Sequence, residues 1–145
     1  MGWSIILEEE HALSPKSREA LVTGLAIWLA GAIGVLVLGS TPSFTSIAIP
    51  AAFLTAPLMW FLVRFHMRDI VPDDRVLVAL RFGVIITAVQ AILDAAGLYT
   101  EFRFGWLGLS EEAREVIVLG LLVGYACMLL VPWLQARRRQ RGIIP

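Results

Sequence analysis

The stretch VLVALRFGVIITAVQAILDAAGL, Val76 to Leu98, decides the fold. It is 23 residues long and holds only two charges, Arg81 and Asp94. A helix rises about 1.5 Å per residue, so this run crosses the roughly 30 Å hydrocarbon core of a bilayer. Its polar residues are not scattered. Gly83, Thr87, Gln90 and Asp94 fall at i, i+4, i+7 and i+11, on one helix face. Such a face is costly against lipid, so it is expected to turn toward a bundle interior or a subunit interface.

Three more runs flank it. Ala20 to Gly39 carries no charge, Ser46 to Val63 ends at Arg64, and Val116 to Leu134 is again charge-free. In hydrocarbon every backbone N–H and C=O needs an internal partner, so these runs are read as helices. They lack the alternation of a β-barrel strand. The expected fold is an all-α membrane protein, a four-transmembrane-helix bundle with antiparallel neighbours. One membrane domain covers 1–145, with spans near 20–39, 46–63, 76–98 and 116–134. Composition agrees: 58% of residues are hydrophobic, 17% are charged, and mean hydropathy is +0.77. Soluble domains hold about 25% charged residues. Twelve basic and twelve acidic residues give no positive field to attract nucleic acid. The single cysteine, Cys127, has no partner in the chain, and no Cys/His ligand spacing occurs, so no cofactor or metal is expected. A disordered chain, a disulfide scaffold and a nucleic-acid binder are excluded on these grounds.

The punctuation fits. Ser14-Pro15 reads as a cap and a first helical residue, so the first helix is expected to begin before the membrane. Gly39-Ser40-Thr41-Pro42-Ser43 separates the first two spans, and this short loop predicts a tight hairpin between them. Val71-Pro72-Asp73-Asp74 is a stop followed by caps, and Ser110-Glu111-Glu112 opens the fourth helix. Tyr99 to Ser110 is the longest connection; its aromatics, Tyr99, Phe102, Phe104 and Trp106, suit an interfacial segment. The first run is too long for a signal peptide, lacks an A-x-A site, and follows Glu8-Glu9-Glu10, so it is read as a retained anchor.

Basic residues set the orientation. Lys16, Arg18, Arg64, Arg68, Arg75, Arg81, Arg137, Arg138, Arg139 and Arg141 fall on one side; only Arg103 and Arg114 fall on the other. Segment 1–19 and tail 135–145 are therefore expected in the cytoplasm, N-in and C-in. The fourth helix should run past Gln135, carrying Arg137, Arg138, Arg139 and Arg141 to anionic lipid headgroups. Arg64 and Arg68, with His66 between them, would join that contact if spans 2 and 4 adjoin.

Asp94 is the only acid in any span, four residues from the end of its run. That is about 6 Å by helical rise, within reach of interfacial water. The face of Thr87, Gln90 and Asp94 has two readings: hydrogen-bonded glue between helices, or an ion or ligand face. Ala30-x-x-x-Gly34 and Gly120-x-x-x-Gly124 are helix-packing spacings. Pro50 and Pro57 each remove a backbone hydrogen bond from span 2, the condition for a kink. Trp28, near the middle of span 1, is read as packing. No GxSxG, HExxH, P-loop or dinucleotide turn occurs, so no enzyme is expected.

Gly24-Leu25-Ala26-Ile27-Trp28-Leu29, Leu93-Asp94, and Leu121-Leu122 with Tyr125 resemble the pattern of a family of small bacterial four-helix membrane proteins, catalogued as a domain of unknown function. The resemblance covers about residues 20 to 135. It implies the four-helix architecture, a bacterial cytoplasmic (inner) membrane and an Asp at position 94; it implies no activity. The expected role is a non-enzymatic membrane protein acting by helix packing, as a homo-oligomer or an accessory subunit of a membrane complex. The alternative is a small transporter or channel using the span 3 face.

Overall fold

The computed structural model describes residues 14–39 and 41–140. The Glu8–Glu10 run, Arg141 and the last residues of the tail lie outside the described residues. Helices dominate, and no strand occurs among the described residues. They are α1 (Pro15–Leu38), α2 (Phe44–Phe53), α3 (Thr55–His66), α4 (Arg75–Phe104) and α5 (Glu111–Gln140). A 3-10 turn, Pro72–Asp74, precedes α4. Taking α2 and α3 as one broken helix, four helices are long and apolar enough to cross a membrane.

The caps sit where their chemistry requires. Ser14 Oγ accepts the Ser17 N–H at 3.2 Å, with Pro15 opening the helix. Ser110 Oγ accepts the Ala113 N–H at 3.1 Å, with Glu111 and Glu112 in the first turn of α5. Asp74 occupies the cap position of α4 without a side-chain bond to it. The α2–α3 break falls at Leu54, three residues before Pro57. Pro57 has no N–H for the Phe53 carbonyl, and its ring crowds that carbonyl, so the helix parts there.

Two expectations need correction. First, α4 does not stop near Leu98; it continues to Phe104 and ends at Gly105, whose φ of 59° is left-handed. Hydrogen bonding carries the helix on after the apolar run is over. Second, the loop after α1 does not produce a tight hairpin. α1 packs along α4, α4 along α5, and α2 and α3 along α5. A cavity of about 310 Å³ lies between α1, α2 and α5.

Two apolar clusters hold the bundle. One gathers Ala20, Met59, Val63, Met67, Ala79, Phe82 and Ala136. The other gathers Phe44, Leu109 and Ala113, with Val35 and Ile117 packed on them. α4 and α5 approach closely at Gly83. A Cβ there would lie 2.6 Å from the Met128 carbonyl oxygen and 3.1 Å from Pro132 Cγ. Pro132, four residues on, gives the Met128 carbonyl no helical N–H, and the bare backbone of Gly83 fits against that spot. Gly83 thus belongs to a close backbone contact with α5, although the sequence spacing groups it with the polar face.

Candidate functional site

α4 lies between α1 and α5, so a side chain on it can meet both. Asp94 does. Trp28 Nε1 on α1 donates to its Oδ1 at 3.0 Å, and the Tyr125 hydroxyl on α5 donates to its Oδ2 at 2.7 Å. Three helices are tied at one carboxyl group. α4 continues ten residues, about 15 Å, beyond Asp94, six of them past the end of the apolar run at Leu98. Trp28 and Tyr125 are near the middles of their helices.

One turn earlier, Gln90 is buried, and its Nε2 donates to the Gly24 carbonyl at 2.7 Å. Gly24 permits that approach: a Cβ there would be 3.3 Å from Val89. Thr87 turns back on its own helix, donating to the Gly83 carbonyl at 2.8 Å. The face read from the sequence therefore splits: Asp94 and Gln90 bind neighbouring helices, Thr87 satisfies itself, and Gly83 makes room.

Beside Asp94 is a cavity of about 500 Å³, bounded by α1, the second half of α4, the α4–α5 connection and α5. Trp28, Gln90 and Asp94 border it, as do Glu101 and Trp106. Glu101 is 1% exposed. Its Oε2 accepts the Leu107 N–H at 2.8 Å; its Oε1 accepts the Leu109 N–H at 3.4 Å and Arg114 Nη2 at 3.0 Å. Glu101 lies past the apolar run that ends at Leu98. Burial alone would push its carboxyl up; the Leu107 N–H, Arg114 and the Leu109 N–H outweigh burial and hold it below the usual carboxylate range. No sequence motif marks Glu101. The one available signal was an acid and a base, Glu101 and Arg114, on either side of a Gly-containing turn.

The packing motifs behave differently from each other. Gly120 lies 3.8 Å from Ala48 O and Ala52 Cβ, and Gly124 lies 3.9 Å from Thr55 Oγ1, measured from a built Cβ. Both therefore face the broken helix. On α1, Ala30 is exposed, and a Cβ on Gly31 or Gly34 would meet nothing within 4 Å. Ser17, Ala20 and Gly24 are the buried residues of α1, all in its first half.

At the end that carries Lys16 and Ala136, α3 and α5 adjoin: Arg138 lies over the Trp60 ring at 5.8 Å. Arg137 lies over Trp133 at 4.8 Å. Arg64 and Arg68 are exposed. The Arg139 side chain and Arg141 lie outside the described residues. His66 does not join the exposed arginines. It is 2% exposed, packs on Phe82 with ring centroids 4.2 Å apart, and puts Nδ1 3.2 Å from Glu19 Oε1. Burial holds its imidazole below the ordinary value, against the pull of Glu19. The reason is local: the last turn of α3 presents His66 inward beside Val63 and Met67. Among the described residues no group of three His, Cys, Asp or Glu could hold a metal ion. No family model, curated protein or solved structure matches the chain.

Proposed function

We propose that the chain is an integral membrane protein that acts by helix packing, as a homo-oligomer or an accessory subunit of a membrane complex. In this reading antiparallel spans cross a bacterial cytoplasmic membrane with both termini inside. One observation carries it: no residue in the second half of α1 is buried, and a Cβ on Gly31 or Gly34 would meet nothing within 4 Å. Small residues let a partner helix approach closely, and close approach is what drives helix association in lipid. The hydrogen-bonded state of Gln90 and Asp94 supports a static role for the polar face. The basic residues Arg64, Arg68, Arg137 and Arg138 suit anionic headgroups at the cytoplasmic face.

Purification in mild detergent, with the protein mass determined separately from the detergent, tests this reading. The expected particle contains more than one 16.0 kDa chain, or a chain with a co-purifying membrane subunit. A strictly monomeric, partner-free particle refutes it.

A second reading, a small transporter using Thr87, Gln90 and Asp94, is favoured by the cavity that Gln90 and Asp94 border. Solute flux into protein-containing vesicles, abolished by Asp94→Asn, would establish it in place of the first.

A further inference from the structure

Two carboxyl groups border the 500 Å³ cavity, and they differ in one respect. Glu101 has a guanidinium, Arg114, at 3.0 Å. Asp94 receives only neutral donors, Trp28 and Tyr125, and has no ion-pair partner among the described residues. Among the described residues that border the cavity, none is Lys, Arg or His. Neutral donors fill the lone pairs of the carboxyl group but bring no positive charge to it, so its ionised form would have no compensating charge in the protein. Away from water that charge exerts its strongest pull on a cation.

The remainder of the cavity is built for an apolar body. Leu93, Leu121, Val35 and Leu36 supply aliphatic wall, and Trp28 and Trp106 supply aromatic surface. Ligand sites of about 300–1,000 Å³ with apolar walls and a few placed polar groups are the usual form of small-molecule pockets. Trp is the side chain whose ring best attracts a cation, and Trp28 adjoins the carboxyl group. A hydrated inorganic ion finds too few ligands here, and an anion meets the wrong charge.

We propose that this cavity binds a monovalent organic cation with an apolar body, a lipophilic ammonium or phosphonium. Its charge sits at Asp94 and its body lies against Trp28, Leu93 and Leu121. The cavity is formed within one copy of the chain, so the proposal stands apart from the packing reading and fails or succeeds separately.

The test is equilibrium binding of radiolabelled tetraphenylphosphonium to the full chain in dodecyl maltoside. Triphenylphosphine oxide, with the same aryl groups and no charge, serves as competitor. The expected result is saturable binding that Asp94→Glu retains and Asp94→Asn weakens by about tenfold or more, the scale of one lost contact. Asp94 also ties three helices, so a second variant keeps it in place. Gly97 borders the cavity, and a Cβ there meets nothing within 4 Å, so Gly97→Phe introduces bulk at the cavity wall from an uncrowded position. Gly97→Phe is expected to abolish binding. Absence of saturable binding to the wild type overturns the proposal. So does unchanged binding in Asp94→Asn or in Gly97→Phe. Competition by the oxide as effective as by unlabelled phosphonium also overturns it, assigning the cavity to a neutral apolar guest.

Discussion

Glu101→Ala isolates the contact that fixes the α4–α5 connection. Glu101 is 1% exposed and receives the Leu107 and Leu109 N–H groups together with Arg114. Alanine removes the acceptor from all of them. Leaving a buried donor unpaired costs about 1–3 kcal/mol, and breaking a buried ion pair from one side costs about 3–5 kcal/mol. These figures overlap and are not summed. The Arg114 side chain is 27% exposed, so water partly replaces its lost partner and the lower end applies. We expect about 3 kcal/mol, felt first as local opening of the connection. Amide hydrogen exchange in detergent reads this directly. At about 1.4 kcal/mol per tenfold, Leu107 and Leu109 should exchange about a hundredfold faster in the variant. Exchange unchanged at both amides would refute the account.

The same contact fixes a pH dependence. The folded-state Glu101 carboxyl lies below its ordinary value, so the folded form binds a proton less readily than the unfolded chain. Its contribution is complete above the unfolded value, about 4.3, and is lost as pH falls through the lower folded value. Protection of Leu107 and Leu109 should therefore hold above about pH 4.3 in the wild type and weaken as the pH falls below it. Glu101→Gln, which has no proton to take up, should lack that slope; identical slopes in the two proteins would refute the assignment.

Other outcomes follow from single contacts. Gly83→Ala drives a Cβ to 2.6 Å from a backbone oxygen, and should destabilise the bundle by about 1–3 kcal/mol in detergent unfolding. Trp28→Phe and Tyr125→Phe should each cost about 1 kcal/mol. Their double-mutant cycle should show coupling, because both act on one carboxyl group; strict additivity would count against the three-helix tie. Replacing Arg137, Arg138, Arg139 and Arg141 by Gln should strip anionic lipid from the purified protein; reversed or mixed orientation with lipid unchanged would leave these arginines as topology determinants only. Gly34→Leu should leave the fold intact yet reduce the mass of the purified particle, whereas Gly120→Leu should impair folding, since its Cβ already has α2 at 3.8 Å.

The sequence revealed helices but not their neighbours, for a physical reason. Span length and backbone satisfaction are properties of one segment in hydrocarbon, and Ser14 and Ser110 act on their own first turns. Packing partners depend on surfaces far apart in the chain. A short loop between α1 and α2 keeps only their ends together, and the two helices diverge around a cavity. Small-residue spacing shows that a face permits close approach without naming what approaches: Gly120 and Gly124 meet α2 and Thr55, while Gly34 meets nothing. Hydropathy also ended α4 too soon, since Tyr99 to Phe104 continue the helix although they leave the apolar run.

For the candidate site, the sequence stated a demand and the structure supplied the answer. A carboxyl group within an apolar span requires donors, and that much follows from Asp94 alone. The donors stand 66 residues before it and 31 after it, on helices whose packing against α4 no local pattern encodes. Trp28 reads as packing because an aromatic ring buries well with or without a partner for its N–H, and Tyr125 enters the sequence reading only through the family pattern. Burial of His66 escaped for the opposite reason: its flanking arginines made the segment look wet, while helical spacing turned it toward Val63 and Phe82. Hydrogen bonds and charge are also separate requirements. Trp28 and Tyr125 meet the first at Asp94 and leave the second unmet, whereas Arg114 meets both at Glu101. Two acids that look alike in the sequence thereby acquire different parts, one closing a turn beside a guanidinium and the other bordering an apolar cavity with no cationic partner among the described residues.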